Sequence, residues 1–168
     1  MPRRQRVLFL GLLLLLCIGC DQGTKRLATE TLRSEPPQTH LFGTVRLGYV
    51  ENPGAFLSLG AAIPEPYRST VFKVGVGLFL LALAAWTLVR GDLKRLELAA
   101  YALFLGGGLS NWFDRLVNDG RVVDFMVLRL GPLRTGVFNV ADVAIMVGVG
   151  LLLLDLARQR AVSRGAAV

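Results

Sequence analysis

Charged side chains are scarce in this sequence: Asp, Glu, Lys and Arg make up 18% of its 168 residues, against about 25% in an average soluble domain. So few charges cannot cover the surface of a solvated domain. With 53% hydrophobic residues and a mean hydropathy of +0.52, the shortage also excludes intrinsic disorder and a coiled coil. Histidine is reduced to His40, and cysteine to Cys17 and Cys20. The resulting C-x-x-C has no second Cys/His pair to complete a metal or redox site, so both cysteines read as small helix-packing residues and no metal or cofactor is expected. Internal repeats and low-complexity linkers are missing, and the length suits one domain, 1–168. What remains is an integral membrane protein.

The net charge of +7 could indicate a polyanion partner, but its placement argues against nucleic acid. Basic residues concentrate in three short segments: Arg3, Arg4, Arg6; Arg90, Lys94, Arg95; and Arg158, Arg160, Arg164. The long stretches 25–69 and 113–137 are nearly balanced. Basic residues packed into short segments beside apolar spans mark the cytoplasmic side of a membrane.

Apolar runs at Val71–Val89, Leu96–Trp112 and Val137–Leu156 approach the roughly 20 residues that a spanning helix needs. A fourth, Val7–Cys20, is short and also fits a signal-peptide core; it reaches spanning length if Arg4 and Lys25 snorkel. The expectation is therefore an all-α membrane protein of four transmembrane helices, at about 5–26, 70–90, 95–113 and 137–157, with both termini cytoplasmic. Outer loops would occupy 27–69 and 114–136. In the first loop Thr44–Val50 alternates polar and apolar residues like a half-buried strand. Ala55–Leu59 is its expected partner across a type II turn at Glu51-Asn52-Pro53-Gly54. In the second, Val122–Leu130 reads as a strand closed by Gly131-Pro132. Together these would form a small β-sheet on the outer face of the bundle. Gly106-Gly107-Gly108 reads as a site of close helix packing, with a flexible hinge as the weaker alternative.

Polar residues inside apolar spans are costly, and so informative. Helix 1 is expected to end with Asp21-Gln22-Gly23-Thr24-Lys25, and helix 3 with Asn111-Trp112-Phe113-Asp114-Arg115. Asp124 follows among Val122, Val123, Phe125 and Met126, and helix 4 opens with Phe138-Asn139-Val140-Ala141-Asp142. All fall on the outer side, with the Asn52–Gly54 turn. A helix starting near Val137 would place Asp142 about 8 Å below the outer boundary. Asp124 is the nearest candidate partner, and two shielded carboxylates sharing a proton can act as base and acid on water and a carbonyl. The helix macrodipole would make Asp142 the more often ionised member. Structural readings stand beside these. Asn139 and Asp142 can form an N-cap pair, Asn111, Asp114 and Arg115 share a helix face that suits an Asp–Arg clamp, and Asp21 and Lys25 can form a helix-end ion pair.

In order, the stretches DQGTK (21–25), ENPGA (51–55), GGGLSNWFDR (106–115), VVDF (122–125) and FNVAD (138–142) resemble the lipoprotein signal peptidase family (signal peptidase II), membrane aspartyl peptidases of bacteria. The resemblance implies a four-helix enzyme with an outer β-cradle, in the bacterial cytoplasmic (inner) membrane. It would remove the signal peptide of a prolipoprotein just before its diacylglyceryl-modified cysteine. It places the catalytic aspartates at Asp124 and Asp142. The substrate-positioning residues fall on Asn52, Gly54, Asn111 and Arg115, with Asp21, Lys25, Asp114 and Asn139 in support. Implied partners are diacylglyceryl-prolipoproteins and membrane lipid, for a monomer without cofactor or metal. The chain departs from the family at Phe56-Leu57, in the loop expected to close over substrate, and at Ser110, where glycine is common.

Three rival readings remain. A proton-coupled carrier could use Asp142, although carriers usually place ionisable groups near the midplane. A non-catalytic assembly factor could retain the fold, but would be expected to lose the aspartate pair first. Met1–Cys20 could itself be a lipoprotein signal, since Ile18-Gly19 precedes Cys20, although Cys17 occupies the position where that motif has leucine.

Overall fold

A computed structural model describes residues 2–54, 63–65 and 67–165 of the chain. Long helices dominate it: α1 (Arg3–Leu32), α2 (Tyr67–Val89), α3 (Arg95–Val117) and α4 (Val140–Gly165). Three carry stretches long and apolar enough to cross a membrane: Arg3–Leu32, Tyr67–Val89 and Val140–Ser163. The chain is a multi-pass membrane protein. Helix α3 is of spanning length too, about 35 Å at 1.5 Å per residue. It is more polar because it is the interior helix, burying Leu98, Ala102, Leu105, Ser110, Asn111, Asp114 and Arg115 among the other three.

The triple glycine makes that central position possible. A Cβ on Gly106 would lie 2.8 Å from Cys17 Cβ of α1, and one on Gly108 would lie 2.7 Å from Leu80 Cδ2 of α2. One on Gly107 would run into the Ala141 carbonyl of α4. Successive helical residues are rotated by about 100°, so three glycines in a row admit three different neighbours. This is the close packing expected of them, and Cys17 is one of the packing partners.

The same contacts give the helix directions. Leu10 packs on Leu98 and Cys17 on Gly106, so α1 and α3 run the same way. Ala141 faces Gly107 and Gly148 faces Ala100, while Gly77 faces Trp112 and Leu80 faces Gly108; α2 and α4 therefore run oppositely. The Arg6 guanidinium donates to the Arg90 carbonyl, bringing two of the basic clusters to one end of the bundle.

At the other end lies an antiparallel sheet of β1 (Gln38–His40), β2 (Val45–Asn52), β3 (Val122–Leu130) and β4 (Leu133–Arg134), in that order. The second-loop strand and its Gly131-Pro132 turn are as expected. The first loop differs: β2 pairs with β1 on one side and β3 on the other, and the expected partner, Ala55–Leu59, lies outside the described residues, as do Phe56 and Leu57. Ala28 and Leu32 of α1 pack beneath Phe125 of β3.

Two helix ends need correction. Helix α1 does not stop at the DQGTK stretch but runs on to Leu32, because the polar residues there have partners inside the bundle and Ala28 and Leu32 support the sheet. Helix α4 starts at Val140, not near Val137. Phe138 exchanges two 2.9 Å backbone hydrogen bonds with Met126, so the chain belongs to the sheet until Asn139. Asp142 is thus the third helical residue, about 3 Å along the axis from the first, rather than about 8 Å deep.

Candidate active site

The sheet and the helix ends meet around two buried carboxylates. Asp124, 2% exposed, comes from the first half of β3, where Val122 to Phe125 are buried on both faces of the strand. Asp142, 7% exposed, comes from the first turn of α4. Asn139 joins them. Its side-chain amide donates to Asp124 Oδ1 at 2.7 Å, and its Oδ1 accepts the Asp142 amide at 2.9 Å. Asp142 Oδ2 in turn accepts the Asn139 amide at 3.2 Å. That exchange is a reciprocal N-cap, so the capping reading and the site reading describe one residue: the cap fixes the carboxylate.

The outer oxygens are also held. Asn52 at the end of β2 donates to Asp124 Oδ2 at 2.9 Å, and Asn111 of α3 donates to Asp142 Oδ1 at 3.0 Å. Burial pushes the Asp124 carboxyl up to about 6 from the ordinary 3.8; the neighbouring Asp142 charge adds to this, while hydrogen bonds from Asn52 and Asn139 and the charge on Lys25 oppose it. An acid amid Val122, Val123 and Phe125 holds its proton more strongly than one in water.

Beneath the pair is a buried ionic cluster. Lys25 Nζ lies 2.7 Å from Asp21 Oδ2, 2.9 Å from Asp114 Oδ2 and 2.8 Å from Asn111 Oδ1, so each ammonium proton has one acceptor. Asp21 also accepts the Ala141 amide and the Ser110 hydroxyl, each at 2.7 Å. Asp114 accepts Gln22 at 2.7 Å and the Val123 amide at 3.2 Å. The cluster thereby ties α1 and α3 to both chain segments that carry the carboxylates. Asp21 and Lys25 do form the expected i,i+4 pair, but inside the protein rather than at a helix end.

The expected Asp–Arg clamp is absent among the described residues, since Asp114 is held by Lys25 and Gln22. Arg115 instead donates to the Gly54 carbonyl at 2.7 Å and the Asn111 carbonyl at 3.0 Å, with its guanidinium 5.1 Å from the Phe72 ring centroid. With the Gly54 amide bonded to Asn52 Oδ1 at 2.9 Å, it pins the Asn52-Pro53-Gly54 turn over the pair. All ten sequence-derived candidates, Asp21, Lys25, Asn52, Gly54, Asn111, Asp114, Arg115, Asp124, Asn139 and Asp142, fall in this one network. Sequence reasoning missed the roles of Gln22 and Ser110. Gln22 lies beside Asp21 in the polar stretch, and Ser110 stands out in the sequence only as a departure from glycine; a polar side chain next to Asn111 on an interior helix is the available signal.

Against known proteins, the description of signal peptidase (SPase) II matches residues 13–158. The chain belongs to the signal peptidase II family. Members are hydrolases, aspartic peptidases of family A8. The lipoprotein signal peptidase of Sphingopyxis alaskensis is 41% identical over 134 residues, covering 79% of this chain and 75% of its own. That of Moorella thermoacetica is 38% identical over 145 residues, covering 86% and 90%. The fold matches that of a bacterial membrane enzyme solved in meso at 2.3 Å, with a TM-score of 0.78 and 22% identity over 90% of this chain and 88% of the other.

Proposed function

We propose that this signal peptidase II family member, as one domain and a monomer, removes the signal peptide from diacylglyceryl-modified prolipoproteins, cutting just before the lipidated cysteine. The observation that carries this reading is the pair of buried carboxylates, brought from separate elements and held by Asn139, Asn52 and Asn111. The reaction needs one ionised and one protonated carboxyl. Asp124, whose proton is retained up to about 6, supplies the acid, and Asp142, favoured as an anion by the helix N-terminus, supplies the base.

Asp142 takes a proton from water as the water oxygen attacks the scissile carbonyl, and Asp124 gives its proton to the carbonyl oxygen. In the collapse of the tetrahedral adduct, the proton on Asp142 passes to the departing amine and Asp124 recovers its own from the hydroxyl. The new carboxyl ends the signal peptide and the new amine belongs to the lipidated cysteine. Asn52, Gly54, Asn111 and Arg115 line or fix the walls where substrate would lie. All four helices span the bacterial inner membrane in this reading, both termini are cytoplasmic, and the site opens near the outer face. A substrate arriving laterally brings its acyl chains with it; each buried CH₂ contributes roughly 0.8 kcal/mol to keeping them in lipid and so fixes the cysteine at one depth.

The test is a turnover assay with purified enzyme and one precursor in lipidated and unlipidated forms. Wild-type enzyme should cleave the lipidated form far faster. Asp124→Asn and Asp142→Asn should each lose several orders of magnitude, because acid and base both need an ionisable group. Half the wild-type rate in either variant would remove the dyad, and equal rates on the two precursors would widen the substrate class.

A further inference from the structure

One feature of the sheet is unused by the dyad. A cavity of about 460 Å³ extends from Asn52 and Asp124 past Val127 to Arg46, Arg129 and Arg134. Arg46 is paired with Val127 across β2 and β3, and Arg129 stands directly opposite Arg134. Residues two apart on a strand share a face, so all three guanidinium groups belong to one face. Like charges set directly opposite destabilise a sheet. Among the described residues, none of these arginines has an ion-pair partner, and the buried Nε of Arg129 has no hydrogen-bond acceptor. The single acid on the wall, Asp124, already accepts from Asn52 and Asn139.

An anionic occupant would relieve this repulsion. We propose that the arginine end of the cavity receives acidic side chains of the precursor just downstream of its lipidated cysteine. The inference rests on the reading of Asp124 and Asp142 as the dyad. A precursor cut at Asp124 must leave the site along some path, and this cavity begins at that residue. Asp124 and Arg129 are five residues, about 17 Å, apart along β3 and project from opposite faces of the strand, but both line this cavity, and about five residues of an extended peptide cover that length. Carboxylates on the second to sixth residues, counting from the cysteine, therefore reach the three guanidinium groups. Arginine is suited to this because its planar fork takes a carboxylate through two hydrogen bonds. The cluster would thus set preference among precursors without touching the reacting atoms.

The experiment uses purified full-length enzyme in zwitterionic micelles and three lipidated precursors that differ only in carrying two Glu, two Gln or two Lys in that segment. The wild-type KM should be about five-fold lower for the Glu form than for the Gln form, with kcat unchanged. Added salt should narrow the gap by screening, and R129Q/R134Q should remove it. Arg134 is exposed, so Arg134→Glu should fold and should shift the preference toward the Lys form, a reversal that lost packing would not produce. Equal KM for the Glu and Gln forms in wild type, or a gap that survives R129Q/R134Q, would overturn the proposal. So would variants that weaken all three precursors alike, and only when phosphatidylglycerol is added, because the arginines would then serve lipid phosphate. Failure of wild-type enzyme to cleave any of the three would instead overturn the dyad reading, so the two failures are distinct.

Discussion

Replacing Lys25 with Met tests whether the ionic cluster beneath the carboxylates holds the bundle together. Lys25 is 3% exposed, and its ammonium serves two aspartates and Asn111. Met fills the volume but leaves two buried carboxylates without their cation. Removing one partner of a buried pair costs about 3–5 kcal/mol. Asp21 keeps the Ser110 hydroxyl and the Ala141 amide, and Asp114 keeps Gln22 and the Val123 amide, so the lower part of that range, about 3 kcal/mol, is expected. Stability is read as equilibrium unfolding in mixed micelles with increasing denaturing detergent. Turnover should fall by roughly ten-fold as well, since Asn111 loses a charged donor and is freer to rotate away from Asp142. The double variant Lys25→Met/Asp21→Asn should be more stable than Lys25→Met alone, because a stranded anion costs more than a lost contact. A Lys25→Met protein within about 0.5 kcal/mol of wild type would refute the assignment of the cluster as the brace of the site.

Three further outcomes are expected. Asp124 binds its proton more tightly when folded (about 6) than at its ordinary value of 3.8, so its contribution is fully present below about pH 4 and is lost as pH rises to about 6; the difference amounts to about 3 kcal/mol. Asp124→Asn should flatten that fall and unfold later than wild type at pH 7 while being inactive, and an unchanged pH dependence of unfolding would remove burial as the cause. Arg115→Lys keeps the charge but not the fork that bonds Gly54 and Asn111, so KM should rise several-fold; unchanged kinetics would show that the turn is held without Arg115. With Cys17 and Cys20 replaced, single cysteines at Glu35 and Gly120 should react with an impermeant thiol reagent from outside and one at Asp92 should not. The reverse labelling would invert the topology.

Much of this site is readable from a sequence because burying a charge among apolar residues is costly. Asp124 stands out between Val123 and Phe125, where packing alone would never favour an acid, and Asp142 stands out inside an apolar helix. The apolar runs likewise located the helices. The same rule misplaces the end of α1: Asp21, Lys25, Ala28 and Leu32 form a buried stripe at helical spacing, but its polar half looks like a helix terminus until Asp114 and Ser110 of α3 are placed opposite. The start of α4 was misplaced because Val137 and Phe138 are as apolar as the helix that follows, and nothing local shows that Phe138 is bound to Met126 across the sheet. Strand β1 was missed for a related reason: Gln38, Thr39 and His40 are all exposed, so they lack the alternation that marks a half-buried strand.

Gly106, Gly107 and Gly108 have a consequence for how this chain can vary. Each serves a different neighbouring helix, so together they act as a keyway that sets α3 in rotation and in height at once. Deleting or inserting one residue between Lys94 and Gly106 would turn everything beyond it by about 100° and slide it by about 1.5 Å relative to the loop that anchors the other end. Such a change would drive side chains against Cys17, Ala141 and Leu80 together, and would carry Ser110, Asn111, Asp114 and Arg115 away from their partners. Length changes should therefore be confined to the connections between elements, while α3 keeps its count of residues from its first turn to Arg115. Exchange of side chains along α3 is likewise confined to its outward positions, such as Phe113, Leu116 and Val117, which are exposed; its buried face and its register are fixed.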